Sequence, residues 1–350
     1  SVQSCNFTKK AEYYTTEDFQ KVPKVDIHVH IITERGAFLE QAVVDSFRLL
    51  TIVTDLNMEG APPIAVQQNL AIFQQSAFPD NLDYLTSFTL DGWEEEDWPE
   101  KTIALLKESL DNGALGVKVW KNIGMVEKDK DDKFIKIDDP KFDPVFDFLT
   151  EIDMPVCGHI GEPRNCWLPM DEMTVNNDKS YYQMFPQYHM YLHPEYPAYE
   201  EHIIARDNML EKHPELHFMG AHLGSLEWDI DEVASRLDRF PHMTVDLAAR
   251  ISHLQVQSRE DRQKVHDFFV KYADRILYGT DMADSPIAEP DPEIFKKNCH
   301  DTWLRDWEYL VSDHTMTSPE VEGEFKGLKL PAEVIDKIYY RNAIKLFFLK

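Results

Sequence analysis

The sequence predicts a single α/β domain built as a closed (β/α)8 barrel, and three observations carry that prediction. Eight short apolar runs alternate with segments of helical spacing, which means a parallel sheet covered on its outer face. No Gly-x-Gly-x-x-Gly follows the first run, which counts against an open dinucleotide-binding sheet. The two long irregular stretches both follow strand C-termini, the fifth and the eighth, where barrel enzymes build their sites.

Taken in order, residues 24–31 form the first strand, after Pro23. Residues 37–47 have helical spacing, and 49–56 read as a buried β-branched strand. Pro63 opens a helix to about residue 78, at a position where proline is tolerated. Residues 82–90 alternate as a strand, and the helix 98–110 stops at Asn112-Gly113. The next units are strand 115–120 with helix 142–152, then strand 154–159 with helix 199–212. Strand 216–222 pairs with helix 228–240, strand 243–248 with helix 259–272, and strand 275–279 is the eighth. A second insertion covers 282–330, and a proline-initiated helix, 331–348, closes the chain. The polar residues 1–22 read as an N-terminal arm outside the core, with the barrel over 23–350.

The chain has 350 residues, 43% of them hydrophobic, enough for a large core. Its 63 acidic against 36 basic residues give a formal charge of −27, a field that repels nucleic acid and anionic membrane alike. No apolar run reaches the roughly 18–20 residues of a bilayer span. Cys5, Cys157, Cys166 and Cys299 include no Cys-x-x-Cys pair and make no disulfide framework. The start at Ser1 fits either a cytoplasmic chain or one exported after removal of a signal peptide.

The first strand carries Asp26-Ile27-His28-Val29-His30. Residues two apart on a strand share a side, so His28 and His30 project together, about 7 Å apart at Cα. Two such imidazoles can share one divalent cation, although an isolated His-x-His is more often two ordinary polar residues. In a barrel the other strand ends converge on the same mouth: Lys118 on strand four, His159 on strand five, His222 on strand six, Asp281 after strand eight. Of these four imidazoles and one carboxylate around one axis, three neutral imidazoles and the carboxylate suit a divalent cation such as Zn²⁺ with a position left for water.

Together, Val25–His30, Gly158-His159, Ala221-His222-Leu223-Gly224, Gly279-Thr280-Asp281 and the closing Tyr339–Phe347 segment resemble the amidohydrolase superfamily. Within it, the chain is similar to the amidohydrolase-2 branch, which includes aminocarboxymuconate-semialdehyde decarboxylase and related decarboxylases and lactonases. The resemblance implies a TIM barrel holding one metal on His28, His30, His159 and Asp281. Zinc is the expected ion, with manganese or another divalent cation as alternatives. It further implies that His222 acts with Asp281 on the bound water or substrate. Lys118 would contact substrate or a neighbouring carboxylate; in binuclear relatives a carboxylated lysine on this strand bridges two metals. A homodimer is compatible with the resemblance.

The irregular stretch 161–197 is rich in aromatics, which read either as a pocket wall for a planar substrate or as anchors of the loop. Trp167 belongs to it. Arg164 and Arg250, after strands five and seven, could clamp a substrate carboxylate, or could be ion-paired at the surface. Asp246 reads as a structural acceptor and Cys157 as a small buried side chain. The leading reading is a metal-dependent hydrolase acting on a lactone, ester or amide carbonyl of a small, anionic organic acid. The alternatives are a non-oxidative decarboxylase of a planar unsaturated or aromatic acid on the same scaffold, and a barrel that binds without turnover.

Overall fold

The computed structural model describes residues 12–56 and 60–348. Its strands are β1 (Lys24–Ile31), β2 (Phe47–Ile52), β3 (Leu82–Ser87), β4 (Val117–Val119), β5 (Val156–Gly158), β6 (Phe218–Gly220), β7 (Met243–Asp246), β8 (Ile276–Leu277) and β9 (Met282–Asp284). Every neighbouring pair is parallel, in the order β8-β7-β6-β5-β4-β3-β2-β1-β9. β8 and β9 are two pieces of one broken eighth strand. Between them, Ile27 N–H donates to the Tyr278 carbonyl at 3.1 Å and Asp281 N–H to the His28 carbonyl at 2.7 Å. These bonds and the β1–β9 register join the last strand to the first, so the sheet closes into a barrel.

Two shells of apolar packing hold the barrel. The inner one contains Val25, Ile27, Leu50, Ile52, Leu85, Cys157, Met219 and Leu277, with Ala343 and Phe347 of the closing helix against it. The outer shell packs helices on the sheet through residues such as Val29, Ile31, Leu49, Val117, Phe218 and Val245. β1 contributes to both. Val25 and Ile27 belong to the inner shell, whereas Val29 and Ile31 belong to the outer one. The change of side occurs at a register shift between Asp26 and Val29. This bulge turns His28 and His30 toward the axis on top of an inner apolar layer, a common use of bulges beside sites.

Two regions are more ordered than the sequence pattern suggests. The insertion after the eighth strand contains a twenty-residue helix, Pro292–Val311, and the hairpin Thr315–Ser318/Val321–Lys326. Trp303 and Trp307 of that helix are fully buried, and Trp303 stacks on Phe47 at 4.3 Å. The helix expected over 259–272 begins earlier, at Ile251, and is kinked at Asp261. Residues 12–22 do not stand apart as an arm: Phe19 and Val22 join the core, and the Thr15 carbonyl accepts from the Trp307 indole at 3.0 Å. Cys157, Cys166 and Cys299 are buried free thiols, and Cys5 lies outside the described residues. Among the described residues no helix is long and apolar enough to cross a membrane.

Candidate metal centre

The site sits at the C-terminal ends of the strands, and its imidazoles are oriented from behind. His28 Nδ1 lies 2.8 Å from Asp246 Oδ2, between groups with almost no exposure. Burial would raise Asp246, but its bonds with His28 and His222 outweigh that and keep it an ionised acceptor. His28 must then carry its hydrogen on Nδ1. His30 Nδ1 lies 3.0 Å from the Ile52 carbonyl and His222 Nδ1 2.8 Å from the Ala248 carbonyl, so those nitrogens donate too. Asp246 also accepts the backbone N–H of His222, at 2.7 Å. His222 itself is held in the left-handed region, φ 59°, at the end of β6.

With Nδ1 the donor in each ring, Nε2 is the nitrogen left to ligate. The Nε2 atoms of His28 and His30 converge on one oxygen, Asp281 Oδ1, at 3.3 and 3.2 Å. Three acceptor atoms facing one another repel unless positive charge lies among them, and the Lys118 ammonium, 3.3 Å from His28 Nε2, reaches only one of the three. The ligand atoms of His28, His30 and Asp281 all fall within 4.8 Å of one another, as do those of His28, His222 and Asp246. In the second group Asp246 is already committed to Nδ1, which leaves the first as the donor set that fits a cation.

Electrostatics reinforce this arrangement. Burial pushes His28, His159 and His222 down, so the imidazoles stay neutral and free to ligate. Lys118 adds to the effect on His28, and Lys121 and Lys118 to that on His159. Burial would raise Asp281, yet positive charge at His222, His28 and His30, carried by protons on the imidazoles or by a cation among them, holds it well below the ordinary carboxylate range.

The remaining sequence candidates are placed unequally. His159 borders the same cavity, with its ring 4.3 Å from that of His222, and its buried Nε2 has no hydrogen-bond partner. It stands outside the tight group of three; its nearest carboxylate contact is Glu162, at 3.8 Å. Lys118 rises from inside the barrel to 3.3 Å from His28 Nε2 and 3.6 Å from Cys157 Sγ. Arg164 and Trp167 do not line the cavity. Arg164 stacks over Trp228 at 4.2 Å, and the Trp167 indole donates to the Pro197 carbonyl while its ring packs on Tyr199 and His202. Both side chains are drawn into packing beneath the loop. Arg250 is buried and donates to the Ala249 carbonyl at 2.9 Å; it too lies outside the cavity wall.

The cavity above the histidines encloses about 320 Å³ and is walled also by Thr54, Leu56, Gln67, Trp120 and Lys121. Beyond it lies a second cavity of about 400 Å³. The two share Leu56, Trp120 and Lys121, and the outer one is lined by Tyr181, Tyr188, Tyr196 and Phe134. Several aromatics of the 161–197 stretch therefore form a pocket wall. Sequence reasoning passes over Lys121, since a lysine just beyond a strand end carries no signal of its own.

A family model described as amidohydrolase matches residues 93–349. Solved structures of similar fold include a 2,6-dihydroxybenzoate decarboxylase from Rhizobium, with 16% identity, covering 94% of this chain and 99% of that one at a TM-score of 0.52. A probable 2-pyrone-4,6-dicarboxylic acid hydrolase from Acinetobacter baumannii, solved with citric acid, is 11% identical over 93% and 98% of the two chains, TM-score 0.50. A 5-carboxyvanillate decarboxylase from Novosphingobium aromaticivorans, a mutant with bound manganese, is 12% identical over 95% and 99%, TM-score 0.50. No curated protein matches the chain.

Proposed function

The chain belongs to the amidohydrolase family, in its amidohydrolase-2 branch, and from that membership we propose a metal-dependent hydrolase acting on the carbonyl of a lactone, ester or amide in a small organic acid. One observation carries the metal-dependent part of this reading, which a hydrolase and a decarboxylase would share: the Nε2 atoms of His28 and His30 meet a single oxygen of Asp281 while both Nδ1 atoms donate elsewhere. In this proposal His28, His30 and Asp281 would hold one divalent cation, with His159 of the same cavity wall as a further ligand. Imidazole and carboxylate donors suit zinc, and manganese is the alternative. Such a cation supplies Lewis acidity and lowers the pKa of a water toward neutrality.

The chain's own groups do the rest. His222 Nε2, bare because Nδ1 donates to the Ala248 carbonyl, takes the proton from the attacking water. The second carboxylate oxygen of Asp281 shares that proton and passes it to the leaving group. Lys118 and Lys121 make the wall favourable to an anionic substrate in a chain whose overall field repels one.

A second reading, non-oxidative decarboxylation of a planar acid, is favoured by the aromatic lining of the outer cavity, which suits a flat ring. Incubation in ¹⁸O water with panels of lactones, esters, amides and aromatic acids separates the two. Heavy oxygen in the product supports hydrolysis. Release of CO₂ without incorporation of solvent oxygen would overturn it in favour of decarboxylation.

A further inference from the structure

Lys121 stands two residues beyond β4, in the wall common to the two cavities. Its ammonium is ion-paired with Glu162, which follows β5 and lines the outer cavity, and lies 5.5 Å from the centre of the Trp120 ring. Both side chains are largely buried, Glu162 to about nine-tenths. The pair therefore bridges two strand-end loops at the neck through which a substrate would pass from the aromatic vestibule to the histidine cage.

Resting on the reading that the strand-end cavity is the reaction site, we propose that Lys121 determines substrate specificity by binding a second, non-reacting carboxylate of the substrate, with Glu162 as its exchangeable counter-ion. Separating a buried ion pair without replacement is costly, because each charge is left uncompensated. A neutral substituent arriving at the neck must do that or remain outside. A carboxylate takes the place of Glu162 on Lys121, so the ammonium keeps a partner and only Glu162, which also lies in the field of Arg250, is displaced. The neck thus rejects neutral groups as much as it attracts anions, which is how specificity is set against a competitor. A lysine suits such an exchange, since its compact ammonium on a flexible stem can change partners without the fixed geometry of a guanidinium.

The two members of the pair make opposite predictions. Isothermal titration of the full chain compares isophthalate with 3-carbamoylbenzoate, which differs only in having one carboxylate replaced by a neutral amide. The wild-type chain should bind isophthalate about tenfold tighter, the scale of one charge-assisted hydrogen bond. Lys121→Met should bring the ratio to about one, and Lys121→Arg should retain it. Glu162→Gln removes the like charge that a bound carboxylate displaces and then faces, a repulsion the neutral amide never meets, and should enlarge the ratio. A ratio near one in the wild-type chain, an unchanged ratio in Lys121→Met, or a smaller ratio in Glu162→Gln overturns the proposal. The Glu162→Gln result decides alone if Lys121→Met does not fold. The ratio is read at equilibrium, so it is independent of whether products show hydrolysis, and either reading can fail while the other stands.

Discussion

His28 on β1 and Asp246 on β7 are joined across the barrel by a buried Nδ1–Oδ2 hydrogen bond of 2.8 Å, and Asp246 also accepts the His222 backbone N–H. One carboxylate thereby sets both the tautomer of a proposed ligand and the position of the proposed base. Asp246→Asn weakens both bonds without changing the volume of the side chain. Metal affinity should fall by about 10–100-fold, the usual cost of losing such a supporting group. Competition with a chromophoric chelator measures it; wild-type affinity in the variant would mean that the bond is incidental.

His222 separates the proposed ligands from the proposed base. Its ring lies 4.8 Å from that of His28 and 4.3 Å from that of His159, yet it is absent from the group formed by His28, His30 and Asp281. His222→Ala should retain bound metal and lose turnover by about 10²–10⁴-fold, the contribution of a positioned proton acceptor. His28→Ala should instead lose the metal. Elemental analysis after gel filtration reads both, and an empty His222→Ala chain would make His222 a ligand.

Much of this was legible because strand ends in a barrel converge, so the positions of His28, His30, His159, His222 and Asp281 in sequence are also positions around a ring. Strand parity places His28 and His30 together, but not the bulge that lets Val25 and Ile27 point inward as well. The helix Pro292–Val311 carries a readable start, with Asp291 accepting from Glu293 N–H and proline at its first position. Pro286 and Pro290 just before it make the segment read as irregular. Residues 251–258 are buried on almost every side, so no amphipathic period marks their helix. Arg164 and Trp167 follow a strand end as His159 does, but sequence position does not fix where a long side chain on a loop turns.

Gly279 fixes the distance between β8 and β1. A Cβ at this residue would come within 2.9 Å of His28 Cβ and 3.4 Å of Ala248 Cβ, closer to the former than such atoms pack. Gly279→Ala forces β1 or β8 to shift, and the expected shift draws His28 away from Asp246. Metal affinity should fall by about tenfold, as when a supporting contact is lost, while far-ultraviolet circular dichroism stays native. Undiminished affinity would show that β1 can yield without moving the imidazole.

Asp306 offers a pH test away from the metal centre. It is buried in the helix Pro292–Val311, accepts from the Tyr278 hydroxyl at 2.8 Å, and burial pushes it from 3.8 up to about 7, against the weaker opposing effects of Tyr278 and Arg305. The folded chain thus keeps a proton that the unfolded chain releases above about pH 4. Stability from this group is fully present below its unfolded value, is lost as pH rises toward 7, and is constant above that. Asp306→Asn mimics the protonated form and removes the slope. Thermal unfolding of variant and wild type from pH 4 to 8.5 should show a difference in melting temperature that moves in the variant's favour by a few degrees up to pH 7 and then levels. A difference that stays flat across the range would mean that Asp306 is ionised in the folded chain throughout.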